Sequence, residues 1–142
     1  MTEEKKQQKG VLDVLKVCLE VIKTNSKRAE ELMHTYDALQ FLKDFKTIKI
    51  GLPRQTGHTH AAKFLLSTGD VRVFVPKPKM EELYSEYKDK VTFIPFDKTL
   101  SPRLSHIEEH ILIIDCASLC TQGQIDKVYD IMYKDQILIQ LG

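Results

Sequence analysis

Two stretches of the chain combine residue types and spacings that suit work on an anion. The first is Gly51-Leu-Pro-Arg-Gln-Thr-Gly-His-Thr-His60, a polar loop between a short apolar run and an apolar helical pattern. Gly57 lets the backbone turn tightly, so the amides of Gly57, His58 and Thr59 would point outward at a helix start. Outward amides and the positive end of a helix dipole together attract phosphate-like groups. The second is Asp115, which closes the run Ile111-Leu-Ile-Ile and so ends a strand. A carboxylate facing a phosphate loop suits hydrated Mg²⁺, with the Thr59 hydroxyl as a further oxygen ligand. The competing structural readings are that Thr59 only caps the helix and that Asp115 is only the polar end of a buried strand.

Other reactive side chains are weaker candidates. Arg54, His58, His60 and Lys63 line the loop and first helix, Lys77 and Lys79 follow the next strand, and Lys98 and Arg103 precede the Asp115 strand. Gathered at one rim they would suit a polyphosphate or a nucleic-acid backbone; otherwise they are a solvated, charged surface. His58 and His60, two apart at a helix start, do not face the same way. His106 and His110 would share a face only on a helix. Ile107 stands where the zinc-protease pattern needs Glu, so they read as a solvated pair and no zinc is expected. Cys116-x-x-x-Cys120 has no matching second pair of metal ligands, so Cys18, Cys116 and Cys120 read as buried reduced thiols. Tyr84 and Tyr87 read as helix-packing residues rather than base-stacking ones.

These residues need a scaffold, and the hydrophobic pattern predicts one. Apolar residues recur at helical spacing from Val11 to about Asn25 and again to about Phe45. Thereafter short apolar runs alternate with helical segments. The predicted strands are Thr47–Gly51, Val71–Val75, Val91–Pro95, Ile111–Asp115 and Gln136–Leu141. The predicted helices are His60–Ser67, Lys79–Lys88 and Gln124–Tyr133. Near-continuous apolar strands alternating with helices imply a three-layer α/β domain with a mostly parallel five-stranded sheet. The division expected is a polar tail over 1–10, a helical extension over 11–45 and an α/β core over 46–142.

With 142 residues, 42% of them apolar, the chain can bury a core without disulfide staples. Its 21 basic and 20 acidic side chains nearly cancel, which excludes partner choice by bulk charge. Asp13, Lys16 and Glu20 interrupt the first apolar stretch, so neither a signal peptide nor a membrane span is expected, and a cytoplasmic location is.

The segment Ile48-Lys-Ile-Gly-Leu-Pro-Arg-Gln-Thr-Gly-His-Thr-His-Ala-Ala62 resembles the Walker A loop of P-loop NTPases. The nearest flavour is the RecA-like group that includes phage terminase and viral helicase ATPase cores. Ile111–Asp115 is similar to their Walker B strand, and the resemblance covers about Thr47 to Leu141. It implies a nucleotide such as ATP with Mg²⁺, held by Arg54, Gln55, Thr56, Gly57, His58, Thr59 and His60. Gln140 would stand near the polar sensor position, and Thr59 and Asp115 at the metal. It also implies a viral or phage origin and a role in DNA metabolism. Three departures matter. Leu52 replaces the first Gly of the pattern, and His58 replaces the phosphate-binding Lys. Cys116 follows Asp115 where such enzymes carry a water-polarising Glu. Phosphoryl transfer rests on electrostatic stabilisation, so losing both parts predicts little or no hydrolysis. The expectation is an accessory module that binds nucleotide or nucleic acid, with the two N-terminal helices as a docking surface. The alternatives are an active NTPase given an arginine by a partner, and a non-catalytic interaction scaffold.

Overall fold

The computed structural model describes residues 13–24, 31, 37–51, 58–95 and 107–142. Five strands form one all-parallel sheet: β1 Thr47–Ile50, β2 Val71–Val75, β3 Val91–Phe93, β4 Ile111–Asp115 and β5 Ile137–Leu141, in the order β1-β5-β4-β2-β3. The most apolar strands, β4 and β5, lie inside the sheet, where both faces are covered. Register places Ile50 and Asp115 beside the same residue, Leu141, so the ends of β1 and β4 stand one strand apart.

Alternation along the strands sorts side chains to two cores. On one face Ile48, Ile50, Val73, Ile113, Ile139 and Leu141 meet Leu15 and Leu19 of α1 (residues 13–24) and Ala61, Ala62, Leu65 and Leu66 of α3 (His58–Leu66). On the other, Phe74, Leu112, Ile114 and Leu138 meet Leu42 of α2 (Ala38–Phe45) and Val128, Tyr129 and Met132 of the α4 region. α4 spans Gln122–Ile131. α1 and α2 therefore cover opposite faces of the sheet.

Among the departures from the expected boundaries, two bear on the site; elsewhere β3 stops at Phe93 rather than Pro95, and α4 spans Gln122–Ile131 rather than Gln124–Tyr133. α3 starts at His58, two residues early, and ends at Leu66; the turn beyond it passes through Gly69 at φ +105°, a left-handed conformation that costs glycine no Cβ clash. Pro78–Lys90, expected as an α-helix, is a run of 3₁₀ turns with non-helical backbone at Tyr84 and Tyr87. Its burial follows every third residue, Glu81, Tyr84, Tyr87 and Lys90, because side chains three apart eclipse in a 3₁₀ turn. Leu83, which an α-helical stripe would have covered, is 49% exposed.

Candidate functional site

α3 and the end of β4 meet where the sequence suggested. Asp115 is the last residue of β4 and points to the α3 face, fully buried. Thr59, in the first turn of α3, donates its hydroxyl to Asp115 Oδ2 at 2.8 Å across 56 residues of sequence. Tyr84 donates its hydroxyl to the same oxygen at 2.5 Å. Asp115 Oδ1 is buried and finds no hydrogen-bond partner among the described residues.

A buried carboxylate oxygen without a donor is costly, because nothing replaces the water it has lost. Burial, followed by the Asp115 charge and the bond to it, pushes the Tyr84 phenol far above its ordinary pKa, so it remains a donor. Lys63, one turn beyond Thr59 on α3, holds its ammonium 5.9 Å from the centre of the Tyr84 ring. Behind Asp115 the chain leaves the sheet through Cys116, a non-glycine residue at φ 60°, ψ 50°. Backbone held in this region costs of order 1 kcal/mol or more and concentrates at functional positions.

An all-oxygen donor set of one carboxylate and one hydroxyl fits a hard divalent cation. Mg²⁺ needs only one or two such protein ligands beside water and phosphate oxygens. The described residues contain no group of three or more His, Cys, Asp or Glu placed to hold a metal.

The remaining expected residues are scattered. Arg54, Gln55, Thr56 and Gly57, with Lys98, Arg103 and His106, lie outside the described residues. His58 is buried at the head of α3 and is engaged in an interaction there, while His60 is exposed, so the two histidines do look in different directions. Lys77 and Lys79 are exposed just past β2, at the same end of the parallel sheet as Asp115. Gln140 is not brought to the Thr59–Asp115 pair. It sits on the opposite face, donating to the Tyr129 hydroxyl at 3.1 Å beside a shallow polar depression lined also by Lys43, Lys49 and Gln122. Residues 107–110 are not helical, so the shared face that His110 needed does not form. Its ring instead meets Asp70 at 2.7 Å. The three cysteines form no disulfide and are half-buried rather than buried.

Tyr84 is the site residue that sequence reasoning missed. Its packing was foreseen, but its hydroxyl partner was not. The available signal was the threefold spacing of Glu81, Tyr84 and Tyr87, which turns all three toward the sheet. Comparison with known proteins gave no match to a family model, to a curated protein or to a solved structure.

Proposed function

We propose that the chain is a degenerate P-loop-like module that binds a nucleotide polyphosphate through Mg²⁺ and hydrolyses it slowly or not at all. The observation that carries this reading is the hydrogen bond from Thr59 to buried Asp115, which joins the helix after the loop to the end of β4. Three features support it. The unpartnered Asp115 Oδ1 offers a place for a cation, the strand order leaves one strand between β1 and β4, and Lys77 and Lys79 lie at the same end of the sheet. When bound, Mg²⁺ would neutralise phosphate charge beside the start of α3. Asp115 and Thr59 would orient it, and α3 would turn its amide dipoles toward the phosphates. Slow hydrolysis is expected because Cys116 follows Asp115 in sequence where the resembled enzymes carry a water-polarising Glu, and because His58 is buried rather than held out on a flexible stem.

The test is a calorimetric titration with ATP and with GTP, each with and without Mg²⁺. Mg²⁺-dependent binding that weakens by about tenfold or more in Asp115→Asn and in Thr59→Ala is the expected result. Phosphate release should stay at the solvent background. A second reading, favoured by the Tyr84 contact, makes Asp115 a structural latch that pins α3 and the 3₁₀ segment to the sheet. Absence of binding with both nucleotides, together with lower melting points in the two variants, would select the latch.

A further inference from the structure

Tyr84 and Thr59 share one oxygen of Asp115, and only Thr59 belongs to α3, the helix that the proposed function turns toward the phosphates. The phenol comes instead from the 3₁₀ segment, 31 residues before Asp115 in sequence. Tyr84 is fully buried, with the Lys63 ammonium 5.9 Å from the centre of its ring. The bond therefore spends carboxylate charge that a divalent cation would also need. The segment carrying Tyr84 is suited to let go. Its backbone departs from helical geometry at Tyr84 (φ −117°, ψ 37°) and again at Tyr87 (φ −129°, ψ 37°), dividing it into short turns of weak hydrogen-bond geometry.

Resting on the Mg²⁺ reading of Thr59 and Asp115, we infer that Tyr84 is a built-in competitor of the cation, whose hydroxyl holds Asp115 in a closed state and withdraws when a divalent ion binds. The hydroxyl and the ion draw on the same buried negative charge, so each weakens the hold of the other. Oδ1, buried and without a hydrogen-bond partner among the described residues, is the oxygen left for the ion, and the Tyr84 bond is the contact given up as the ion settles. The consequence is a site with low affinity for free cations, which fills fully only when a phosphate-bearing ligand adds its own oxygens. Such a device keeps the module closed to metal alone.

The test uses the full chain and Mn²⁺ alone as the probe, with free Mn²⁺ followed by electron paramagnetic resonance. Tyr84→Phe keeps the ring and removes the hydroxyl. It should bind Mn²⁺ about tenfold more tightly than the unaltered protein, the scale of one hydrogen bond to a charged acceptor. Asp115→Asn should abolish binding in both backgrounds. Without metal, Tyr84→Phe should melt below the unaltered protein, since it leaves a buried carboxylate with one donor, and Mn²⁺ should restore most of the difference. Equal or weaker Mn²⁺ affinity in Tyr84→Phe, with Asp115→Asn still abolishing binding, overturns the competitor role and leaves the metal site standing. Binding that survives Asp115→Asn, or no binding by any form, overturns both. Should Tyr84→Phe fail to fold, amide exchange in the unaltered protein decides. Exchange across 82–90 should accelerate on Mn²⁺ addition, and an unchanged pattern rejects the withdrawal.

Discussion

Burying a carboxylate at the end of β4 sets the terms for the residues around it. Asp115 needs donors, and among the described residues it takes two hydroxyls, those of Thr59 and Tyr84. The same low-dielectric surroundings reach the next turn. Cys120 has its thiol pushed up to about 11 by burial and then by the neighbouring Cys116. At pH 8 only about one Cys120 in a thousand is then a thiolate, the form that reacts. Brief iodoacetamide treatment at pH 8 followed by peptide mass mapping should leave Cys120 unmodified on a timescale that alkylates an unhindered cysteine peptide. Labelling of Cys120 at the peptide rate would contradict its burial. Asp115 and Thr59 were legible in the sequence because each is marked by its own neighbours, an apolar run that stops and a polar loop that becomes a helix. Tyr84 was not, because its partner is remote and its direction depends on a backbone period that composition does not announce.

At the scale of elements, one side chain ties α4 to the loops beside the site. Gln124 accepts from the Thr121 amide at 2.9 Å and Thr121 accepts from the Gln124 amide at 3.2 Å, a reciprocal cap at the start of α4. The Gln124 side-chain nitrogen Nε2 donates in turn to the carbonyls of Pro76 and Ile94, at 3.1 and 2.8 Å, just past the ends of β2 and β3. Thr121→Ala should therefore cost about 1 kcal/mol in urea unfolding, the worth of a cap. Gln124→Leu should cost more, about 2–4 kcal/mol, because two carbonyls are left buried without donors. Equal losses in the two variants would mean that Gln124 acts only as a cap. The Thr-x-x-Gln spacing lies open in the sequence, whereas its links to two distant loops emerge only from the fold. The 3₁₀ segment shows the reverse failure: the α-helix expected over Lys79–Lys88 would set Leu83 beside Tyr84 and Tyr87 on one face, and the threefold period of short turns exposes it. Leu83→Lys should accordingly change stability by no more than about 0.5 kcal/mol.

Across the whole molecule, the parallel sheet gives its two edges different tasks. Alternating apolar runs made its existence and direction legible, but not its order, since the pairing of β1 with β5 joins segments from opposite ends of the sequence. Among the described residues, Cys116 with its positive φ and the unpartnered Asp115 Oδ1 lie at the carboxyl ends of the strands, and a network of paired polar groups lies at the amino ends. There Gln136 donates to the carbonyls of Ile107 and Glu109 at 2.9 and 2.8 Å. Glu109, buried ahead of β4, meets Arg72 of β2 at 3.1 Å and Lys90 at 2.9 Å, and Arg72 also reaches Thr92 of β3. Burial works against ionising Glu109, but the bonds from Arg72 and Lys90 outweigh it and hold the carboxyl at about 2, below an ordinary value of 4.5. The folded carboxyl thus binds its proton less tightly than the unfolded one. Its contribution is complete above pH 4.5 and is lost as pH falls toward 2. With Lys90 half-exposed and screened, that contribution is about 2 kcal/mol. Urea unfolding between pH 7 and pH 2 should show stability falling through this window, and Glu109→Gln should lower the neutral plateau while flattening the fall. An unchanged acid slope in Glu109→Gln would move the acid-sensitive contact elsewhere and leave Arg72 bridging β2 and β3 through Thr92 alone.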